Sequence, residues 1–255
     1  MSTHRQGERC FSRARIGAMM RGAMEAPLDA DALVARLRAV GARRYHDKHP
    51  FHTLMNDGRL TRPQLRVWAL NRFYYQRNIP AKDAALLSLM PDPVERRRWR
   101  QRLLDQDGTG PEDEGGIERW LRLVEAVGGT RDEAWSGAEL LPGVRFAVDA
   151  YVNFVRTKPW IEGVASSLTE LFSPDLMTLR IAAFERHYPW VQEGGLAYFR
   201  GRPTRARADS DHAIELVLRH CTTRAMQERA VEALEFKCDL LWAQLDAIWW
   251  HCVGA

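Results

Sequence analysis

The sequence of 255 residues lacks several features that mark common functional classes. No stretch reaches the ~18 consecutive apolar residues of a membrane-spanning helix, and the N-terminus lacks the apolar run of a secretory signal. The four cysteines, at positions 10, 221, 238 and 252, form neither a CxxC pair nor a metal-binding spacing. We therefore predict a cytoplasmic protein with buried free thiols and no membrane association.

The net positive charge outside the N-terminus is small. The net charge is +4, and residues 1–25 account for +3 of it through five arginines and two glutamates. The remaining +1 argues against a nucleic-acid-binding surface, which requires clustered basic residues on the folded part. We predict that residues 1–25 form a disordered basic extension and that residues 26–255 form one domain.

The histidines lack the spacing of a helical metal site. Di-iron centres in helical bundles use Glu and His three residues apart on an inward face, and none of the eight histidines has Glu three residues before it. His46, His49 and His52 follow one another at intervals of three, but Pro50 disfavours a helical conformation at His49. We predict that the protein binds no metal.

Helical periodicity, in contrast, extends through nearly the whole chain, and no alternating pattern is long enough for a useful strand. The breaks carry Gly, Pro or Asp, as in MPDP (90–93) and DGTGPEDEGG (107–116). The pattern predicts an all-α, single-domain helical bundle. Its predicted helices span about 29–40, 61–78, 81–90, 93–106, 116–127, 143–157, 160–172, 175–187, 190–200, 207–221 and 223–252.

Several of the apolar helix faces contain polar side chains. The face of Leu65, Trp68 and Ala69 continues with Arg72 and Gln76. Similar positions are occupied by Lys82, Arg102, Gln106, Glu170, Arg180 and Lys237. Each alone is compatible with a hydrogen-bonded core residue or a side chain that reaches solvent. Together the inward cations outnumber the inward acids, which indicates a pocket for a small polyanionic molecule.

Seven segments resemble the pyrroloquinoline-quinone synthase family, in order over residues 29–250. They are RRYHDKHPFH (43–52), NRFYYQRNIPAKDAA (71–85), GGIERWLRLVEAVG (115–128), LPGVRFAVDAYVNF (141–154), SSLTELF (166–172), HYPW (187–190) and FKCDLLWAQLDA (236–247). The resemblance implies a haem-oxygenase-like helical fold, a homodimer and a closed central pocket. It also implies contacts with other proteins that make pyrroloquinoline quinone (PQQ).

The resemblance implies an oxidase that uses no metal or flavin and makes PQQ as its product. Ring closure and oxidation by dioxygen convert a bicyclic tricarboxylate to the quinone and release hydrogen peroxide. The implied substrate-binding residues are Tyr45, Arg72, Gln76, Lys82, Arg102, Tyr151, Thr169, Glu170, Met177 and Arg180. The implied catalytic positions are His46, Gln106, Tyr198, Arg202 and Lys237.

His46 is the candidate general base, because imidazole titrates near neutral pH. The alternative is a structural surface histidine, since the segment HDKHPFH (46–52) is locally polar.

Two positions depart from the family pattern. The family's DHDG reads DQDG here, so that Gln106 replaces a pocket histidine, and Met177 replaces another. Glutamine can donate a hydrogen bond but cannot shuttle protons near neutral pH. A divergent relative with incomplete oxidase activity therefore remains an alternative, as does a carrier that binds PQQ or its precursor. A thiaminase-like hydrolase is less favoured, since no cysteine lies in a pocket motif.

Overall fold

The computed structural model describes residues 25–254, except for the side chains of residues 203–205. The α-helices in this range are α1 (Ala30–Arg44), α2 (Pro50–Asn56), α3 (Arg62–Leu89), α4 (Pro93–Trp99), α5 (Gln101–Asp107), α6 (Gly115–Ala126), α7 (Arg131–Ser136), α8 (Pro142–Thr157), α9 (Trp160–Ser166), α10 (Ser173–His187), α11 (Ala197–His220) and α12 (Arg224–Cys252). Short 3₁₀ helices lie at His46–Lys48, Ser167–Leu171 and Glu193–Leu196.

The predicted all-α class is confirmed, because residues 25–254 contain no β-strand. None of the helices in this range combines the length and the hydropathy needed to cross a bilayer. The predicted disordered extension, apart from Glu25, lies outside the described residues.

The longest helices, α3 and α12, lie at the centre of the bundle. Both pack against α8, while α9 packs on α12, and α5 and α6 pack on α3. Large aromatic side chains fill the core around α3, among them Trp68, Phe73, Trp99, Trp120 and Phe199, which are almost fully buried. This arrangement places the inward faces of α3, α5, α8, α11 and α12 around a common interior.

Helix α3 shows how local chemistry sets its start and how packing sets its length. Thr61 caps its N-terminus in a capping box with Gln64, and Pro63 lies in the first turn. The sequence predicts separate helices over 61–78 and 81–90, but the helix continues through Pro80 to Leu89. A proline inside a helix removes one hydrogen bond. Burial of the turns on both sides of Pro80 offsets that loss.

Other predicted helix boundaries are also wrong. The segments 190–200 and 207–221 are not two helices: residues 190–196 precede α11 and include a 3₁₀ helix, and α11 then runs without a break from Ala197 to His220 and packs along α10. The segment 93–106 is divided near Arg100 into α4 and α5, and 160–172 changes to a 3₁₀ helix after Ser166. Helix α1 continues past Gly41, which is buried against the ring of Phe172.

Two short helices, α2 and α7, are absent from the sequence prediction. They contain 7 and 6 residues. A helix of two turns or fewer shows no recognisable period, because each face contributes only one or two residues.

Gly58, just after α2, provides a test of packing between α2 and α10. Gly58 and Gly137 have similar left-handed conformations, with φ of +73° and +65°. A Cβ at Gly58 would lie 2.4 Å from Cγ of His187, whereas at Gly137 the nearest atom is Cβ of Leu140 at 3.6 Å. We expect Gly137→Ala to cost about 1 kcal/mol, from backbone strain alone. Gly58→Ala should cost about 3 kcal/mol, because overpacking adds to the strain.

Urea unfolding of the two variants measures both free energies of unfolding. Equal losses in the two variants would show that His187 moves away freely and that α2 and α10 are loosely packed at this point.

Candidate active site

The interior cavity of the bundle has two adjoining lobes, and all fifteen predicted site residues line one or both. The first lobe is lined by Lys82, Arg102, Gln106, Tyr151 and Lys237. The second is lined by Tyr45, His46, Arg72, Gln76, Met177, Arg180 and Tyr198. Thr169, Glu170 and Arg202 line both. The structure therefore brings the predicted residues together, while their chemical roles stay predictions.

Three of the cavity cations have acidic partners from the protein. The Nζ atom of Lys82 lies 2.5 Å from Oδ1 of Asp83 and donates to Oγ of Ser167 at 3.3 Å. Burial, the largest single effect, lowers the pKa of Lys82, but Asp83 and Tyr151 together raise it above its usual value. This pair is anchored further by the Trp99 indole, which donates to Asp83 at 2.8 Å.

Arg102 and Arg202 are the other paired cations. Arg102 donates to the backbone oxygen of Asp209 at 2.7 Å, and its Nε lies 3.4 Å from that residue's carboxylate. Arg202 donates to Glu170 at 2.6 Å. Burial opposes the charge of Arg202, but the Glu170 carboxylate raises its pKa. Asp83, Asp209 and Glu170 are thus each engaged with one of these three cations.

The remaining three cations, Arg72, Arg180 and Lys237, form no ion pair with a carboxylate of the described residues. Arg72 donates to Oε1 of Gln244 at 3.1 Å. Arg180 contacts His52 at 3.0 Å, and its buried Nε has no hydrogen-bond partner. Lys237, only 1% exposed, donates to the Tyr75 hydroxyl at 2.5 Å. The idea that Lys237 reaches solvent is therefore wrong.

Burial without a counter-ion lowers the pKa of two of these groups. The pKa of Arg180 falls to about 10, mainly through desolvation. That of Lys237 lies well below its usual value because of burial and the nearby charges of Lys82 and Arg72. An anion that entered the cavity would reverse both effects. The cavity is therefore suited to a ligand with several negative charges.

The histidines beside these cations are held neutral. His46 and His52 are both buried, and their rings lie 4.9 Å apart between centroids. Their pKa values lie well below the usual range, first because of burial and then because of Arg72 and Arg180. His46 is therefore not a surface histidine. A neutral imidazole at the cavity wall can accept a proton from a ligand.

Gln106 presents an unsatisfied polar atom at the cavity. Its side chain is buried, and its Oε1 has no hydrogen-bond partner. The oxygen lies against Gly116, where a Cβ would be only 2.4 Å away. Nearby, the Tyr198 hydroxyl donates to Oε1 of Gln76 at 3.0 Å. Gln106 can therefore accept a hydrogen bond from a ligand without losing one from the protein.

Sequence reasoning missed several residues at or beside the cavity, among them Tyr75, Asp83, His52 and Asp209. Tyr75 lines both lobes and follows Arg72 by three residues, so helical spacing could have identified it. Asp83 directly follows Lys82. Asp209 gave no signal, because it lies 107 residues from its partner Arg102 in the chain.

Within residues 25–254, no three side chains of His, Cys, Asp or Glu converge as a metal site would require. Cys221 and Cys238 are buried free thiols, and Cys252 is partly buried. Burial raises the pKa of the Cys221 thiol to about 11 and that of Cys238 to about 12. Neither thiol lines the cavity, so neither is a nucleophile for its ligand.

The fold and cavity can now be compared with known proteins. The pattern of the TENA/THI-4/PQQC family matches residues 34–247. The chain belongs to this family. Among its relatives, the pyrroloquinoline-quinone synthase of Xanthomonas campestris pv. campestris (strain 8004) is 55% identical over 225 residues, which cover 88% of this chain and 90% of that protein.

The family relatives include further PQQ proteins. The pyrroloquinoline-quinone synthase of Granulibacter bethesdensis is 54% identical over 224 residues, or 88% of each chain. The bifunctional coenzyme PQQ synthesis protein C/D of Methylorubrum extorquens is 52% identical over 89% of this chain, but over only 61% of that longer protein.

Two solved structures confirm the predicted haem-oxygenase-like fold. A TenA homolog from Pseudomonas syringae pv. tomato has a TM-score of 0.69 at 14% identity, over 89% of this chain and 96% of that one. A domain with a heme oxygenase-like fold from Shewanella denitrificans has a TM-score of 0.67 at 13% identity, over 87% and 90%. At these identities the likeness concerns the fold alone.

The neutral histidines predict how stability changes with pH. In the unfolded chain histidine takes up protons below about pH 6.5, whereas buried His46 and His52 do not. The unfolded state then binds more protons, so stability falls as pH decreases. Each histidine contributes about 1.4 kcal/mol to this loss between about pH 7.5 and 5.5.

The variant His52→Gln, which keeps an acceptor for Arg180, should therefore lose about 1.4 kcal/mol less than wild type over this range. Urea unfolding at both pH values measures the difference. The exposed residue His251 supplies the control, and His251→Gln should behave like wild type. An unchanged pH dependence in His52→Gln would show that His52 is protonated in the folded protein.

Proposed function

We propose that this chain catalyses the final step of PQQ biosynthesis. In this step a bicyclic tricarboxylate precursor undergoes ring closure and oxidation by dioxygen to PQQ, with release of hydrogen peroxide. We further propose that the chain acts in the cytoplasm as a homodimer, possesses no metal or flavin, and receives its precursor from other PQQ-biosynthesis proteins. The identity of 55% to a pyrroloquinoline-quinone synthase over most of both chains supports this proposal.

The observation that carries the proposal is the set of three cavity cations without acidic partners, Arg72, Arg180 and Lys237. A buried unpaired cation costs several kcal/mol unless a ligand supplies the missing charge. The proposed precursor bears three carboxylates. The sign of the missing charge therefore agrees with this substrate.

His46 is the proposed general base for ring closure or C–H deprotonation. It lines the same lobe as Arg72 and Arg180, and its low pKa keeps it unprotonated at neutral pH. The nearby cations act in two ways. They keep the imidazole neutral before reaction, and they stabilise negative charge that develops on the ligand when a proton leaves.

Tyr198 and Arg202 extend from α11 over the cavity. Arg202 is held by Glu170, and the Tyr198 hydroxyl by Gln76. Both side chains are buried and line the second lobe, where Arg202 has further N–H donors and the Tyr198 hydroxyl oxygen can accept a hydrogen bond. We propose that they bind dioxygen or the peroxide formed from it. Gln106 lies in the other lobe and adds an acceptor, but no group that titrates near neutral pH.

A turnover experiment tests the function and the role of Gln106. The full chain is incubated with the bicyclic precursor in air, with a chelator present, and absorbance, oxygen uptake and peroxide are followed. We expect PQQ to form after a partly oxidised quinol has accumulated, because Gln106 cannot transfer protons. In Gln106→His the last phase should be accelerated, since positioned acid–base groups contribute ~10²–10⁴-fold.

Each alternative gives a different result in this assay. Binding without oxygen uptake identifies a carrier, and arrest at the quinol identifies an incomplete oxidase. Loss of turnover with the chelator, together with stoichiometric metal in the active protein, contradicts a metal-free reaction. PQQ formation without a detectable intermediate, and with no acceleration in Gln106→His, contradicts the role assigned to Gln106.

The unpaired cations give a second prediction, on affinity. Arg180→Ala and Lys237→Ala should each weaken PQQ binding by about tenfold to a hundredfold, because a charge-assisted hydrogen bond contributes about 1.5–3 kcal/mol. Arg77 lies on α3, donates to the backbone of Trp135 and does not line the cavity. Arg77→Ala is therefore the matched control, with unchanged affinity expected.

Isothermal titration of the folded variants with PQQ measures these affinities. An affinity like that of wild type in both cavity variants would contradict the assignment of Arg180 and Lys237 to carboxylate binding.

A further inference from the structure

A surface groove outside the cavity lies between the loop 108–114 and the helices α6 and α7. Its volume is about 670 Å³, which is enough for several side chains of a peptide. None of the residues that line the groove lines either lobe of the cavity. The groove is therefore a separate surface, which the proposed reaction does not use.

The floor of the groove is apolar. Ile117 and Leu121 lie one turn apart on α6, and Trp135 of α7 completes the apolar strip. Trp135 is 51% exposed, yet its ring packs edge-on against Phe73 with 5.0 Å between centroids. Its backbone oxygen accepts a hydrogen bond from Arg77 at 2.7 Å. A large aromatic side chain that is held in place but half uncovered is typical of an anchor for a binding partner.

The rim of the groove carries unbalanced negative charge. Two of its acids, Glu114 and Glu118, are paired with arginines. Asp107, in contrast, forms no ion pair with the residues that the structure describes, and desolvation raises the pKa of its carboxyl group. The adjoining segment DQDGTGPEDE (105–114) contains five acidic residues and no basic one. The rim is therefore suited to a cationic partner.

The composition of residues 1–24 is complementary to this groove. Five arginines and one glutamate give these residues a net side-chain charge of +4. The stretch RCFSRARI (9–16) interleaves the arginines with Phe11 and Ile16. An extended peptide presents alternate side chains on the same side, which places Phe11 between Arg9 and Arg13. A segment that is predicted to be disordered alone can become ordered on binding.

The length of the segment allows it to reach the groove. The chain enters the described part at Glu25, whose carboxylate lies 3.6 Å from Arg224 at the start of α12. Twenty-four extended residues span roughly 80 Å. A domain of about 230 residues has a radius of gyration of only about 17 Å. The segment is therefore long enough to reach any face of the bundle.

We propose that residues 1–24 of this chain dock in the groove, with Phe11 against Trp135 and the flanking arginines beside Asp107 and the acidic loop. The apolar strip supplies the contact area, and the unpaired acid selects a basic peptide. This inference goes beyond the proposed function and does not depend on it.

Photo-crosslinking of the full-length protein tests the position of the segment. Phe11 is replaced by the photoreactive amino acid p-benzoylphenylalanine, and the irradiated protein is digested and analysed by mass spectrometry. We expect the crosslinks to fall within residues 107–135. Irradiation of a mixture of unlabelled and ¹⁵N-labelled protein shows whether both ends of a crosslink belong to one chain, and we expect no mixed products.

Protection from trypsin tests the chemistry of the groove. Cleavage at Arg13 and Arg15 should be slower in the full-length protein than in a synthetic peptide of residues 1–24, because docking hides these sites. Asp107→Lys and Trp135→Ser should each accelerate this cleavage by about fivefold to tenfold, since each removes one of the contacts that hold the segment.

Two exposed residues outside the groove supply the matched controls. Trp250 on α12 is 70% exposed, and Asp57 lies just after α2. Trp250→Ser and Asp57→Lys should leave the rate of cleavage unchanged. Thermal unfolding of each variant identifies any acceleration that comes from misfolding.

Three results would overturn the inference. Crosslinks that fall mainly outside residues 107–135 would place the segment elsewhere. Crosslinks between unlabelled and labelled chains would show that the segment docks on a second copy. Equal rates of cleavage in the wild-type protein, the groove variants and the free peptide would show that the segment is not held.

Discussion

Burial of positive charge inside a helical bundle is the constraint on which the rest of this structure depends. A buried ion costs several kcal/mol unless a partner compensates it. The protein supplies Asp83, Asp209 and Glu170 for three of the cavity cations. Among the residues that the structure describes, the other three have amide, imidazole, phenol and aromatic partners. These partners keep the bundle folded, but they leave a charge imbalance that an anionic ligand removes.

That charge imbalance also lowers the pKa values of the neighbouring groups. Arg72 and Arg180 disfavour a second positive charge nearby, so the pKa values of His46 and His52 fall beyond the effect of burial alone. The same repulsion, from Arg72 and Lys82, lowers the pKa of Lys237. Arrival of carboxylates reverses the sign of the field at all three groups. Binding of an anionic ligand therefore favours protonation of these groups, and His46, the proposed base, becomes more basic when that ligand is present.

Much of this site could be predicted from the sequence, because helical spacing is a local property. Arg72 and Gln76 follow Leu65 and Trp68 at intervals that place all four on one face, and the structure has them so. The continuous helix across Pro80 could not be predicted, because tertiary burial outweighs the local effect of proline. Asp209 could not be paired with Arg102 either, since the contact joins two helices far apart in the chain.

The charge imbalance persists because a neutral side chain lies where an acid could pair with a cavity cation. One more carboxylate beside Arg72 would reduce the cost of burial, and Gln244, which contacts Arg72, has the size of a glutamate. An acid at this position would stabilise the empty protein and compete with a carboxylate of the ligand. The neutral amide of Gln244 instead holds Arg72 in place without neutralising it. The ligand-free protein is therefore less stable than it would be with an additional acid. Binding of an anionic ligand supplies the missing stabilisation.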